Sequence, residues 1–136
     1  MTYHDATAMA MAVQTGEITP LELVSQAIHK AKELNPTLNA ITSERFEAAL
    51  EEAKQRDFSG KPFAGVPIFL KDLGQELKGD LSTSGSKLFK NHHATKTDLF
   101  VKRLEDLGFI ILGRSNTPEF GFKNISDSQL HGPVSL

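Results

Sequence analysis

Residues 97–113 read TDLFVKRLEDLGFIILG, and their two halves follow different periods. Thr97 and Asp98 can open a helix in which Phe100, Leu104 and Leu107 recur four and three apart, the mark of a single apolar face turned inward. Gly108 is the residue that most easily takes the left-handed turn at a helix end. Phe109, Ile110, Ile111 and Leu112 then form a continuous apolar run, the pattern of a strand covered on both faces. A helix that feeds directly into such a strand predicts an α/β layered fold with a mainly parallel or mixed sheet.

The same order recurs upstream. Ser43 can cap a helix with Phe46, Ala49, Leu50 and Ala53 inward, ending near residues 57–60, DFSG. Glycine and proline then punctuate the chain up to a second apolar run at residues 66–70, VPIFL. Further back, Thr19-Pro20-Leu21-Glu22 combines a cap hydroxyl, a first-turn proline and a glutamate able to close a capping box. That helix carries Leu23, Ala27, Ala31 and Leu34 near one face, with Val24 and Ile28 adjoining, and should end at Asn35-Pro36. A short apolar stretch at residues 39–42 follows. Asp5 can cap a first helix that stops at Gly16. Residues 1–60 thus read as a mainly helical segment and residues 61–136 as the start of an α/β core, both within one domain. Only about three strands are visible, and residues 131–136, HGPVSL, read as a loop that finishes no element. The expectation is an incomplete sheet in a truncated chain, whose uncovered edge would favour a homo-oligomer or aggregation.

Composition narrows the function classes. The chain has 136 residues, 39% of them apolar, enough for one ordinary core. Fifteen basic against 17 acidic residues, a net charge of -2 without any block or stripe, gives no footprint for nucleic acid or an anionic membrane. The absence of cysteine excludes disulfides, thiolate metal sites and a cysteine nucleophile in this stretch. No run is long enough to span a bilayer and the N-terminus lacks the pattern of a secretory signal, so a cytoplasmic location is expected.

The residue that asks for an explanation is Lys71, which ends the apolar run in FAGVPIFLKD, residues 63–72. A strand-end lysine followed by Asp72 is most often a solvated boundary residue. The chemical alternative is burial, which disfavours the charged form and turns an ammonium into a proton acceptor. Residues 82–86, STSGS, have two readings of equal standing: a polar turn held by local side-chain to backbone bonds, or an active-site loop. Asn116-Thr117-Pro118-Glu119-Phe120 reads as a turn into a short helix, with Thr117 as cap and Pro118 in the first position. His92 and His93 are adjacent in a loop without a third spaced ligand, the pattern of solvent-facing histidines rather than a metal site.

GVPIFLKDL, STSGSKLF, LGFIILGRSNTPEFGF and HGP, in that order, resemble the N-terminal part of an amidase signature family hydrolase. The resemblance covers nearly the whole chain and is densest at residues 63–133. It implies a large α/β fold around a mixed sheet and hydrolysis of a small-molecule carboxylic amide by a Ser-cisSer-Lys triad, with no cofactor and no metal. Lys71 matches the family's catalytic lysine, and Thr83, Ser84, Gly85 and Ser86 match its hydroxyl-rich loop near the active site. The family's Gly/Ser-rich signature, with both serines and the oxyanion hole, is expected just beyond Pro133. The sequence at 126–128, Ser-Asp-Ser, lacks the glycines to replace it, so the isolated chain is expected to be inactive. Two alternatives stand beside the stand-alone amidase. One is the glutamine-hydrolysing component of a tRNA-dependent transamidation complex, against which Asn116-Thr117-Pro118-Glu119 weighs. The other is a noncatalytic binding or assembly module.

Overall fold

The computed structural model describes residues 3–135. Its element order is α1 (Ala6–Gln14), α2 (Pro20–Leu38), β1 (Ile41–Glu44), α3 (Phe46–Gln55), β2 (Pro67–Lys71), α4 (Leu99–Leu107), β3 (Ile110–Ser115), β4 (Asp127–Ser128) and β5 (Gly132–Pro133). The fold is mixed α/β, as expected, with a three-stranded sheet in the order β1-β3-β2. β3 runs antiparallel to β1 and parallel to β2.

The period-two alternation of β3 divides the core. Ile110 and Leu112 point to one face, where Val24 and Ile28 of α2 and Phe46, Ala49 and Ala53 of α3 close over them. Ile111 points to the other, against Leu70, Leu77 and Val101 of α4. A strand covered on both faces buries side chains on each side, which is why the first half of β3, residues 110–112, continues an unbroken apolar run. Among the described residues β2 has one strand neighbour, and Pro67, Ile68 and Phe69 are half-buried rather than enclosed as the sequence suggests.

The helix starts are set by their caps. Asp5 accepts the Ala8 N–H at 2.8 Å, and Thr19 and Glu22 complete the capping box at α2. α2 nevertheless continues past the expected stop at Pro36 to Leu38. Asn35 accounts for this: its side chain accepts from Ile41 N at 2.8 Å and donates to Ile41 O at 3.2 Å, so the turn into β1 is clasped from inside the helix. Asn39, in the left-handed conformation, then caps it. Ser43 does not cap α3. It lies in the β1–β3 ladder opposite Arg114, and the cap position passes to Arg45, whose N–H bonds Leu112 O at 2.9 Å.

Helix α4 is rotated from its expected orientation. Phe100 is 55% and Leu107 37% exposed, whereas Val101 is fully buried and Leu104 partly so. Asp98 directs its carboxylate to Glu76 N–H at 3.0 Å instead of capping the helix, and Thr97 accepts Lys78 N–H at 3.0 Å. The sequence reads residues 131–136 as a loop that finishes no element, yet Gly132–Pro133 pair with Asp127–Ser128 in a small hairpin. Asn39 Nδ2 donates to His131 O at 2.8 Å and Pro133 O at 3.0 Å, tying this hairpin to the end of α2.

Candidate active site

Lys71 is the last residue of β2, opposite Ser115 at the end of β3. Both strands of the parallel pair therefore finish at the same edge, the place where α/β sheets most often bind ligands. A cleft of about 590 Å³ opens there, lined by Lys71, Gln75, Phe100, Ser115, Asn116 and Lys123 among others. Ile68 and Leu70 contribute to its lining as well. Lys71 itself is exposed. Of the two readings offered by the sequence, a solvated boundary residue or a buried one, the first is found: among the described residues β2 has a strand neighbour on one side only, and its terminal lysine lines this open cleft.

The main chain at Lys71 is held on both sides. Its N–H is accepted by Gln75 Oε1 at 2.8 Å, and its carbonyl receives Arg114 Nη1 at 3.2 Å. The same guanidinium nitrogen reaches Gln75 O at 2.8 Å. Arg114 is fully buried, so one cation clamps both ends of the turn that follows the lysine. Burial lowers its pKa from the ordinary arginine value, and the acidic side chains of Asp72, Asp80, Glu76 and Asp98 oppose that shift. The arginine remains charged, since guanidinium is not deprotonated in proteins.

Successive residues at a strand end point to opposite sides, so Asp72 turns inward where Lys71 turns out. Asp72 is 1% exposed, and its main-chain N–H bonds Ser115 O at 3.1 Å. Its carboxylate is met by Thr83, whose N–H donates to Oδ1 at 2.8 Å and whose hydroxyl donates to Oδ2. His131 Nε2 lies 3.0 Å from that hydroxyl and 3.6 Å from Asp72 Oδ2.

The hydroxyl-rich loop is thus beside the candidate site without lining its cleft. Thr83 faces Asp72, and Gly85 N–H donates to Thr83 Oγ1 at 3.1 Å. Ser86 Oγ donates to Glu119 Oε1 at 2.6 Å. Ser84 adopts φ 51° and its carbonyl accepts the N–H of Phe120, which is also at φ 51°. Left-handed backbone at two non-glycine residues joined by one bond marks the contact between this loop and residues 117–121 as strained. Thr117 is fully buried, but its hydroxyl has no partner among the described residues and does not cap the following 3-10 turn. His92 and His93 are both exposed, the first with Nε2 3.6 Å from Glu76 Oε1. Sequence reasoning missed Asp72, Gln75, Arg114, Asn116 and His131. Asp72 adjoins Lys71, and Arg114, Asn116 and His131 stand within the blocks that carry the family resemblance, whereas Gln75 had no positional hint.

The family model for amidases matches residues 22–135. The chain belongs to the amidase family. A lipoamidase from Enterococcus faecalis is 49% identical over 132 residues, spanning 96% of this chain and 18% of the relative. The 6-aminohexanoate-cyclic-dimer hydrolase of Paenarthrobacter ureafaciens is 38% identical, over 96% of this chain and 26% of its own. A solved structure of 6-aminohexanoate cyclic dimer hydrolase with substrate superposes at a TM-score of 0.90, also at 38% identity, over 96% of this chain and 27% of its own. A glutamyl-tRNA(Gln) amidotransferase component from Deinococcus deserti is 37% identical, over 95% of this chain and 27% of the relative. The chain therefore spans about a fifth to a quarter of the length of these relatives. The amidase-family fold, already described from its own sheet and helices, is the one expected from the sequence blocks. Among the described residues no helix is long and apolar enough to cross a membrane.

Proposed function

We propose that this amidase-family chain supplies the lysine of a Ser-cisSer-Lys relay that hydrolyses a small-molecule carboxylic amide to carboxylate and ammonia or amine. The observation that carries the reading is the position of Lys71: it ends β2, projects into the cleft at the shared edge of the parallel strands, and has its own peptide fixed by Gln75 and Arg114. A proton acceptor needs a fixed place relative to the proton it takes, and these two bonds fix the main chain from which the Lys71 side chain starts. In the relay a bridging serine would hand Lys71 the proton of the nucleophilic serine and would return one to the departing nitrogen. The serines are assigned to sequence following this segment, so the 136-residue chain alone turns over no amide. Closure by those following residues would also desolvate Lys71 and favour its neutral form.

Thr83, Ser84, Gly85 and Ser86 are given a supporting part, since the hydroxyls of Thr83 and Ser86 are engaged by Asp72 and Glu119. The reading as a glutamine-hydrolysing transamidation component has less support, the identity being 37% to that relative against 49% to the lipoamidase. The test is amide turnover by the whole protein and its Lys71→Met variant. General acid-base catalysis contributes about 10²–10⁴-fold, so kcat should fall by that factor with unchanged circular dichroism. Full activity in the variant would refute the assignment.

A further inference from the structure

The Thr83 hydroxyl sits at the centre of a closed set of hydrogen bonds. A hydroxyl has one proton to give and two lone pairs to fill. The proton goes to Asp72 Oδ2. One lone pair takes the Gly85 N–H at 3.1 Å. The remaining contact, His131 Nε2 at 3.0 Å, can then only be a bond in which the ring nitrogen donates. With the hydroxyl proton on Asp72, this arrangement requires a proton on His131 Nε2.

Resting on the reading of Lys71 given above, we propose that Thr83 and His131 are positioning residues for it: together they hold the Asp72 carboxylate and so set the strand end from which Lys71 projects. Asp72 is the inward anchor at that end of β2, joined to β3 through Ser115 O and to the loop through Thr83. His131 extends the hold to the β4–β5 hairpin, 59 residues after Asp72 in the chain and 48 after Thr83. The main chain of that hairpin is secured independently of the imidazole. Asn39 bonds the carbonyls of His131 and Pro133, Asn116 Nδ2 donates to Gly132 O at 3.3 Å, and Val134 N–H bonds Ser126 O at 2.8 Å. Replacing the ring therefore removes one bond and leaves its carrier in place.

The test uses the 136-residue chain for structure and the whole protein for turnover. Long-range proton–nitrogen correlation of the labelled chain at about pH 8, well above the ordinary histidine range, should show His131 protonated at Nε2. Thr83→Val should speed exchange of the Asp72 amide by about tenfold, the loss of one or two buried hydrogen bonds, while Thr83→Ser stays within about twofold of the parent. The Ile110 amide, bonded to Val66 O at the opposite end of the strand pair, serves as the internal standard and should not change. His131→Phe should act like Thr83→Val, and His131→Gln, which retains an N–H donor, should restore protection. In the whole protein Thr83→Val should lower kcat by about the same factor with little change in KM. An Nδ1–H tautomer, an Asp72 amide indifferent to Thr83→Val, or an unchanged kcat in that variant would each overturn the proposal. If Thr83→Val does not fold, the His131 pair decides by the same amide. A whole protein without amide turnover would defeat the relay assigned to Lys71, and the exchange comparison would still decide the network itself.

Discussion

Gly113→Ala should destabilise the chain far more than an ordinary glycine substitution. Gly113 lies in the central strand at φ 148°, a conformation side chains avoid. It pairs with Glu44 on one side and Phe69 on the other; the β2–β3 ladder shifts register immediately before it, and the β1–β3 ladder shifts one pair further on, between Arg114 and Ser115. A Cβ built there would be 2.1 Å from Ser43 O, against a floor of 3.0 Å for real Cβ contacts. The obstacle is backbone in a paired strand, so relief requires β1 to move by about 0.9 Å. The unfavourable φ costs about 1–3 kcal/mol and forced displacement in a packed region about 1–3 more. The sum, about 2–6 kcal/mol, is a large share of the roughly 5–15 kcal/mol that holds a domain together. With no tryptophan and one tyrosine, urea unfolding is best followed by circular dichroism. The midpoint should drop by about 1–3 M. Gly60→Ala is the control, since Gly60 also has positive φ, 69°, but nothing within 4 Å of the added carbon. A Gly113 variant no less stable than the Gly60 variant would refute the argument.

The rotation of α4 predicts that Val101→Ala costs about 2–3 kcal/mol in urea unfolding, whereas Phe100→Ala, though the larger truncation, stays near the ordinary surface range of about 0.5 kcal/mol. Two glutamates should respond to acid with opposite signs. The Thr19 N–H and hydroxyl hold the Glu22 carboxyl below its ordinary value, so its contribution is present above the ordinary range and lost as pH falls through the lowered value. Burial, with Glu52 adding to it, raises Glu105, whose contribution is present below its unfolded value and lost as pH rises through the raised one. Melting temperatures should therefore show Glu22→Gln destabilising and Glu105→Gln stabilising at neutral pH, both differences fading as acid protonates the two carboxyls, Glu105 before Glu22. Persistence of either difference in acid would contradict its assigned cause.

What was legible in the sequence was what local chemistry decides. The Asp5 cap, the Thr19–Glu22 box, the Gly108 stop and the apolar run of β3 each depend on residues within one turn or one strand. The misreadings arose where a distant partner outcompeted a local one. Ser43 has the chemistry of a cap, but pairing with Arg114 draws it into a ladder. Asp98 has it too, and is diverted to Glu76 N–H. Pro36 reads as a terminator, and the Asn35 clasp on Ile41 carries the helix past it. At the candidate site, Lys71 stood out because it ends an apolar run. Arg114 likewise follows an apolar run, FIILG, but its role, like that of His131, depends on partners roughly forty to fifty positions away.

The parallel pairing of β2 with β3 also has a consequence for biosynthesis. Residues 67–71 leave the ribosome some forty positions ahead of the strand they pair with. At about 5–20 residues per second, the apolar stretch Pro67-Ile68-Phe69-Leu70 waits roughly 2–8 s for its partner. Loop closure over that length adds only slowly to the free-energy cost, about 0.6 kcal/mol per doubling, so the burden is one of time and exposure. The edge that orients Lys71 is therefore synthesised well before it is paired, and a nascent chain halted before Ile110 would present that edge to chaperones.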